Sequence, residues 1–153
     1  MGAAIGAALT VRVLTGFIDM NIYLDIDGVL IHDSLENYQK ITDGLIDFLK
    51  YITENYNCYW LTTHCKGDTV HLLEYLGDRF PEEAMQYVKL LQPTNWQTMK
   101  TEAIDFSQDF RWIDDDVFDK ELSDLRDNNC EEKLIHVNLI NNPNQLKEII
   151  KLL

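Results

Sequence analysis

The feature that most constrains this chain is a repeated alternation of short apolar runs with longer amphipathic stretches. Asn21 to Ile26 (NIYLDI) is an apolar run with β-branched and aromatic residues, and it predicts a buried strand ending at the turn signal Asp27-Gly28. Leu45, Ile46, Leu49 and Ile52 then recur at helical spacing, with Thr42 as the expected N-cap. Asn57 to Thr63 (NCYWLTT) predicts a second strand. Asp68 opens a stretch carrying Val70, Leu72, Leu73 and Leu76, and Pro81 suits the first turn of a further helix through Leu91. Pro93 breaks that helix, and Thr94 is expected to cap another that carries Met99, Ala103 and Ile104. Phe110 to Ile113 is a third apolar run, stopping at Asp114-Asp115-Asp116. After a polar connection, Leu134 to Ile140 (LIHVNLI) predicts the last strand and Leu146 to Leu153 a terminal amphipathic helix.

Strands alternating with helices specify a parallel sheet covered by helices on both faces. The predicted fold class is therefore α/β, a three-layer α/β/α sandwich of Rossmann type. A chain of 153 residues with 46% hydrophobic content suits one such domain. The apolar opening MGAAIGAALTVRVLTG lacks the basic start of a signal peptide and is too short to span a bilayer. The domain is expected to run from 20 to 153, with 1–19 an extension whose deletion leaves folding and activity intact.

In open parallel sheets, ligands bind at the carboxyl ends of the strands. The notable polar residues fall there. Asp25 and Asp27 end the first strand, Thr62 and Thr63 the second, and Asp114 and Asp115 the third, while Lys100 lies in the predicted helix before the third. Four carboxylates gathered at one sheet edge repel one another, by about 4 kcal/mol for each pair ~4 Å apart at an effective dielectric near 20. A hard divalent cation with oxygen ligands offsets that cost, and Mg²⁺ suits one or two carboxylates with substrate phosphate. The set also has a candidate for each task of phosphoryl transfer: a carboxylate nucleophile, an acid, and hydroxyl and ammonium groups for the phosphoryl oxygens.

With these residues in place, the chain resembles the haloacid dehalogenase superfamily. The DxDGV run from Asp25 to Val29 is similar to that family's first motif, the strand ending in Thr62 to its second, Lys100 to its third, and Asp114-Asp115 to its fourth. The resemblance implies a Mg²⁺-dependent phosphatase. Asp25 would be nucleophile and metal ligand. Asp27 would be general acid/base and would offer its backbone carbonyl to the metal. Thr62 and Lys100 would hold the phosphoryl group, and Asp114 and Asp115 would hold the metal. Only one of the adjacent Thr62 and Thr63 can point into the site, and Thr62 is preferred. Among the acids after the third strand, Asp115 is the first choice as ligand and Asp114 the second, with Asp116 and Asp119 expected to face solvent. The intervals between motifs leave room for a small flap at 28–41 but no full cap. The expected partner is a phosphorylated substrate, small molecule or macromolecule.

Net charge is −13 with no run of Lys or Arg, which argues against nucleic acid or an anionic membrane as partner. Three cysteines without a CxxC pair fit a reducing, cytoplasmic location and no zinc site. Trp60 and Trp112 read as core residues, His71 and His136 as helix and strand residues, and His32 and His64 lie near the expected site. Three other readings compete. A receiver domain places its Lys after its acids, unlike Lys100. A metal-dependent nuclease leaves Thr62 and Lys100 without roles. A non-catalytic metal- or phosphate-binding module has no need of the complete set.

Overall fold

The computed structural model describes residues 18–33 and 38–153. Four strands form a parallel sheet in the order β4-β1-β5-β6: β1 (Asn21–Leu24), β4 (Asn57–Trp60), β5 (Phe110–Asp114) and β6 (Leu134–His136). Two short strands, β2 (Ile31–Asp33) and β3 (Gln39–Ile41), pair antiparallel as a separate hairpin. The helices are α1 (Leu45–Asn55), α2 (Val70–Gly77), α3 (Glu82–Val88), α4 (Asp119–Asp127) and α5 (Gln145–Leu152). Two 3-10 turns, Lys100–Ala103 and Glu131–Lys133, complete the described elements.

β1 is central and wholly buried, pairing with β4 on one side and β5 on the other. Its alternation divides the core. Ile22 and Leu24 face a cluster with Phe48, Leu49 and Ile52 of α1, Leu72 and Leu76 of α2, Ala84 and Val88 of α3, and Leu146 and Ile149 of α5. Tyr23 faces a second cluster with Trp96, Phe110, Trp112 and Leu125 of α4. Successive strand residues point to opposite faces, so a three-layer α/β/α sandwich follows. Each fully buried Leu or Ile side chain contributes about 1.5–3 kcal/mol. The expected fold class is thus the observed one, and Trp60 and Trp112 are core residues with no exposure. No helix among the described residues is long and apolar enough to cross a membrane.

The element boundaries differ from the sequence expectations in ways that have local causes. Thr42 does not cap α1. Its hydroxyl donates to the Val29 carbonyl at 2.8 Å, and Gly44, at φ 82°, takes the N-cap position. Thr94 starts no helix, because its hydroxyl donates instead to the Trp60 carbonyl at 2.5 Å. The Glu102 carboxylate accepts the backbone N–H groups of Gln97, Thr98 and Met99 at 2.9–3.0 Å, which satisfies the loop and leaves only the 3-10 turn that begins at Lys100. Pro81 is the N-cap of α3 rather than part of its first turn, and α3 stops at Val88. The last strand ends at His136 because the Gln145 side chain takes over: its amide donates to the His136 carbonyl at 2.9 Å and its oxygen accepts from Asn138 N–H at 2.7 Å. β1 and β4 also stop short of the expected Ile26 and Thr63, so the polar residues lie just beyond the ladder. Of the expected 1–19 extension, residues 1–17 lie outside the described residues, as do 34–37 of the expected flap; Met20 is buried.

Candidate functional site

The parallel register carries Asp25 and Asp114 to one edge of the sheet. Leu24 of β1 lies beside Ile113 of β5, and Asp25 N–H extends that pairing to the Ile113 carbonyl at 3.1 Å. Both acids are buried, Asp114 completely and Asp25 at 7% exposure. Asp115, half-buried, adds a third carboxylate, and ligand atoms from Asp25, Asp114 and Asp115 all fall within 4.8 Å of one another. Lys100 reaches into this group from the start of its 3-10 turn. Its Nζ lies 2.6 Å from Asp114 Oδ2 and 3.5 Å from Asp25 Oδ1.

The partners differentiate the acids. Asp114 Oδ2 also accepts Trp112 Nε1–H at 3.0 Å, and Asp114 Oδ1 accepts the Asp116 N–H at 3.1 Å. Both of its oxygens are therefore engaged, and its main contact is the lysine. Burial, then the neighbouring charge of Asp114, pushes the Asp25 carboxyl up to about 8, against the opposing pull of Lys100, the Ile26 N–H and the Thr62 hydroxyl. Asp115 is also pushed up, by burial and then by Asp114. Burial alone lowers Lys100, but Asp25 and Asp114 outweigh it and hold the ammonium charged.

One ammonium among three carboxylates leaves an excess of negative charge in a buried place. An all-oxygen donor set of this kind fits a divalent cation, which supplies the missing positive charge. Gly28 preserves the space. It sits at φ 78°, and a Cβ there would lie 1.9 Å from Asp115 Oδ2. Only a residue without a side chain lets the turn after β1 approach Asp115 so closely. That turn is closed by Leu30 N–H to Ile26 O at 2.8 Å and Gly28 N–H to Ile31 O at 2.7 Å.

Two cavities meet at this cluster. The smaller, about 230 Å³, is lined by Asp25, Thr63, Trp96, Lys100 and Glu121 among others. The larger, about 610 Å³, lies between the β2–β3 hairpin and the segment after β6, with Ile31, His32, Gln39, His136 and Asn138 on its walls. Asp27 and Asp115 line both. Asp27 is exposed; its Oδ2 meets His64 Nε2 at 2.6 Å and its Oδ1 accepts the Tyr75 hydroxyl at 2.9 Å.

Asp25, Asp114, Asp115 and Lys100 are thus in direct contact or within reach of a shared ion, and Asp27 stands at the cluster's rim. Thr62 is fully buried with its hydroxyl toward Asp25, whereas Thr63 is exposed and lines the smaller cavity. Asp116 and Asp119 are exposed. Glu121, outside the set expected from the sequence, is buried and accepts Lys100 N–H at 2.8 Å and Phe118 N–H at 3.0 Å, so that it anchors the lysine's turn to the start of α4. Trp112 does more than fill the core, since it donates to Asp114, and Tyr75, a helix aromatic with no distinguishing sequence signal, donates to Asp27. An acid three residues into a helix that follows an acidic run was the only visible signal for Glu121.

No family model and no curated protein matches this chain. Among solved structures it is similar to one described as "The Structure of Fcp1, an essential RNA polymerase II CTD phosphatase", at 14% identity and a TM-score of 0.46. The alignment covers 96% of this chain and 52% of that one, so this chain spans about half of its length.

Proposed function

We propose that the chain is a Mg²⁺-dependent phosphohydrolase of haloacid dehalogenase type in which Asp25 accepts the phosphoryl group. The observation that carries this reading is the buried Asp25–Lys100–Asp114 contact, with Asp115 beside it, at the carboxyl edge of a parallel sheet. Asp25, Asp115 and the Asp27 carbonyl would hold the metal, with Asp114 completing the acidic set. When bound, Mg²⁺ neutralises the charge between a carboxylate nucleophile and an anionic phosphomonoester.

The chain's own residues divide the remaining work. The phosphoryl group occupies the smaller cavity, with the Lys100 ammonium and a threonine hydroxyl on its oxygens. Thr62, preferred from the sequence, turns its hydroxyl to Asp25, and Thr63 lines that cavity, so both hydroxyls stand beside the phosphoryl group. An Asp25 oxygen attacks phosphorus, the bond from phosphorus to the leaving oxygen breaks, and Asp27 gives that oxygen a proton. In the second half, water attacks the phosphorus of the aspartyl phosphate, Asp27 takes the water's proton, and Asp25 and inorganic phosphate are released. The leaving group departs into the larger cavity, whose open mouth accommodates a small alcohol or part of a macromolecule.

Hydrolysis of an aryl phosphate with Mg²⁺, with EDTA and with Asp25→Asn tests the reading. Activity that needs the metal and is lost in the variant supports it, and activity retained in Asp25→Asn contradicts it. Cleavage of DNA or RNA with Mg²⁺ or Mn²⁺ in place of phosphomonoester hydrolysis would favour a nuclease. Magnesium binding with no turnover on a broad substrate panel would favour a binding module.

A further inference from the structure

Asp27 has a side chain that is 52% exposed, yet both of its oxygens are held. The two groups that hold it come from different elements and are fixed against each other. His64, in the loop after β4, stacks on Tyr75 of α2 with ring centroids 4.2 Å apart and planes 18° apart. The loop end is tethered by His64 N–H to the Thr62 hydroxyl at 3.3 Å. On the helix side, the Arg79 guanidinium lies 3.8 Å from the Tyr75 ring centroid. Arg79 also donates to the Tyr75 carbonyl and to Gln39 Oε1, both at 2.9 Å. Gln39 Nε2 then donates to the Tyr75 hydroxyl at 3.4 Å, so that hydroxyl accepts from β3 and donates to Asp27.

An exposed aspartate without such partners samples several rotamers, and each must be frozen out at the moment of proton transfer. Here the freezing is built into the folded state, at the residue that lines both cavities. We propose that His64 and Tyr75 are positioning residues that fix the Asp27 carboxyl at the boundary between the two cavities, where the leaving oxygen departs. This rests on the phosphohydrolase reading above.

The consequence is a dependence on the leaving group. An alkoxide needs a proton as it departs, whereas 4-nitrophenolate is stable without one. Tyr75→Phe keeps the ring stack and removes only the hydroxyl, and His64→Ala removes the other contact. Asp27 also serves the later hydrolysis, which is common to both substrates, so the readout is leaving-group release in a single turnover. Each variant is expected to slow release from 2-phenylethyl phosphate by ~10-fold or more and from 4-nitrophenyl phosphate by less than ~3-fold, a part of the ~10²–10⁴-fold that general acid catalysis supplies. The substrate concentration for half-maximal release stays near the wild-type value on both, and His64→Gln, which keeps an amide N–H, recovers part of the loss. Asp27→Asn serves as the reference and shows the same contrast, enlarged.

Equal losses on both substrates in Tyr75→Phe and His64→Ala, beside a contrast in Asp27→Asn, would overturn the positioning role and leave the acid role intact. Absence of the contrast in Asp27→Asn would remove the acid role and this proposal with it. Crystal structures give a readout without turnover. One Asp27 rotamer in the wild type and several in Tyr75→Phe is the expected result, and an unchanged single rotamer in the variant would overturn the proposal.

Discussion

Asp25 is caught between opposing demands, since its carboxylate form is wanted for attack on phosphorus while burial and Asp114 favour the protonated form. In the metal-free protein its carboxyl rises to about 8. Binding of Mg²⁺ must therefore expel a proton at neutral pH, and affinity for the ion rises with pH up to about 8. Calorimetry at pH 6.5 and 8.5, in buffers of different ionisation enthalpy, should show proton release at the lower pH that fades at the higher. Release that does not change with pH would mean that Asp25 is already ionised. Gly28 gives a second test at this scale. In Gly28→Ala the new methyl group meets the Asp115 carboxylate and the residue is strained at positive φ. A loss of about 1–3 kcal/mol in urea unfolding is expected, together with weaker Mg²⁺ binding. Wild-type stability and affinity in this variant would show that the turn relaxes without cost.

The 3-10 turn at Lys100 and the start of α4 act as a unit because Glu121 accepts a backbone N–H from each. Glu121→Ala leaves two such donors unpaired, and a buried unpaired donor costs about 1–3 kcal/mol. The turn should loosen, with a fall in thermal stability and in kcat; Glu121→Gln, which keeps one acceptor oxygen, should retain more of both. Equal behaviour of the two variants would exclude this bridging role. Several elements are legible in the sequence. β1, β4 and β5 are dense in β-branched and aromatic residues, and the α1 pattern Leu45, Leu49, Ile52 has only one amphipathic reading. The errors cluster where a distant side chain supplies hydrogen bonds that the local sequence does not show. Glu102 satisfies the loop after Thr94, Gln145 ends β6, and Thr42 turns to Val29 instead of capping α1. The β2–β3 hairpin was expected only as a small flap, because its strands are three residues each and carry no period.

Across the whole molecule, the strand–helix alternation and the strand-end rule made Asp25, Asp27, Asp114, Asp115 and Lys100 readable as one constellation. The partners that distinguish their tasks were not readable, because His64, Tyr75, Trp112 and Glu121 meet the acids only through tertiary folding. The shared acidic edge also has a global cost. Asp25 titrates higher in the folded protein than its ordinary value of 3.8, so its contribution to stability is fully present below that value and is lost as pH rises through about 8. Metal-free protein should accordingly lose several degrees of melting temperature between pH 5 and pH 8.5. Mg²⁺ should restore much of the loss, and Asp25→Asn should flatten the profile. A steep profile retained in Asp25→Asn would place its origin at another group.

The most direct test of the central claim is to trap the covalent intermediate. Protein turning over an aryl phosphate with Mg²⁺ is quenched, treated with borohydride to reduce any acyl phosphate to the alcohol, and mapped by peptide mass spectrometry. Homoserine is expected at position 25, absent with EDTA and absent from Asp25→Asn. Turnover with reduction at another acidic residue, or with none at all, would contradict Asp25 as the nucleophile.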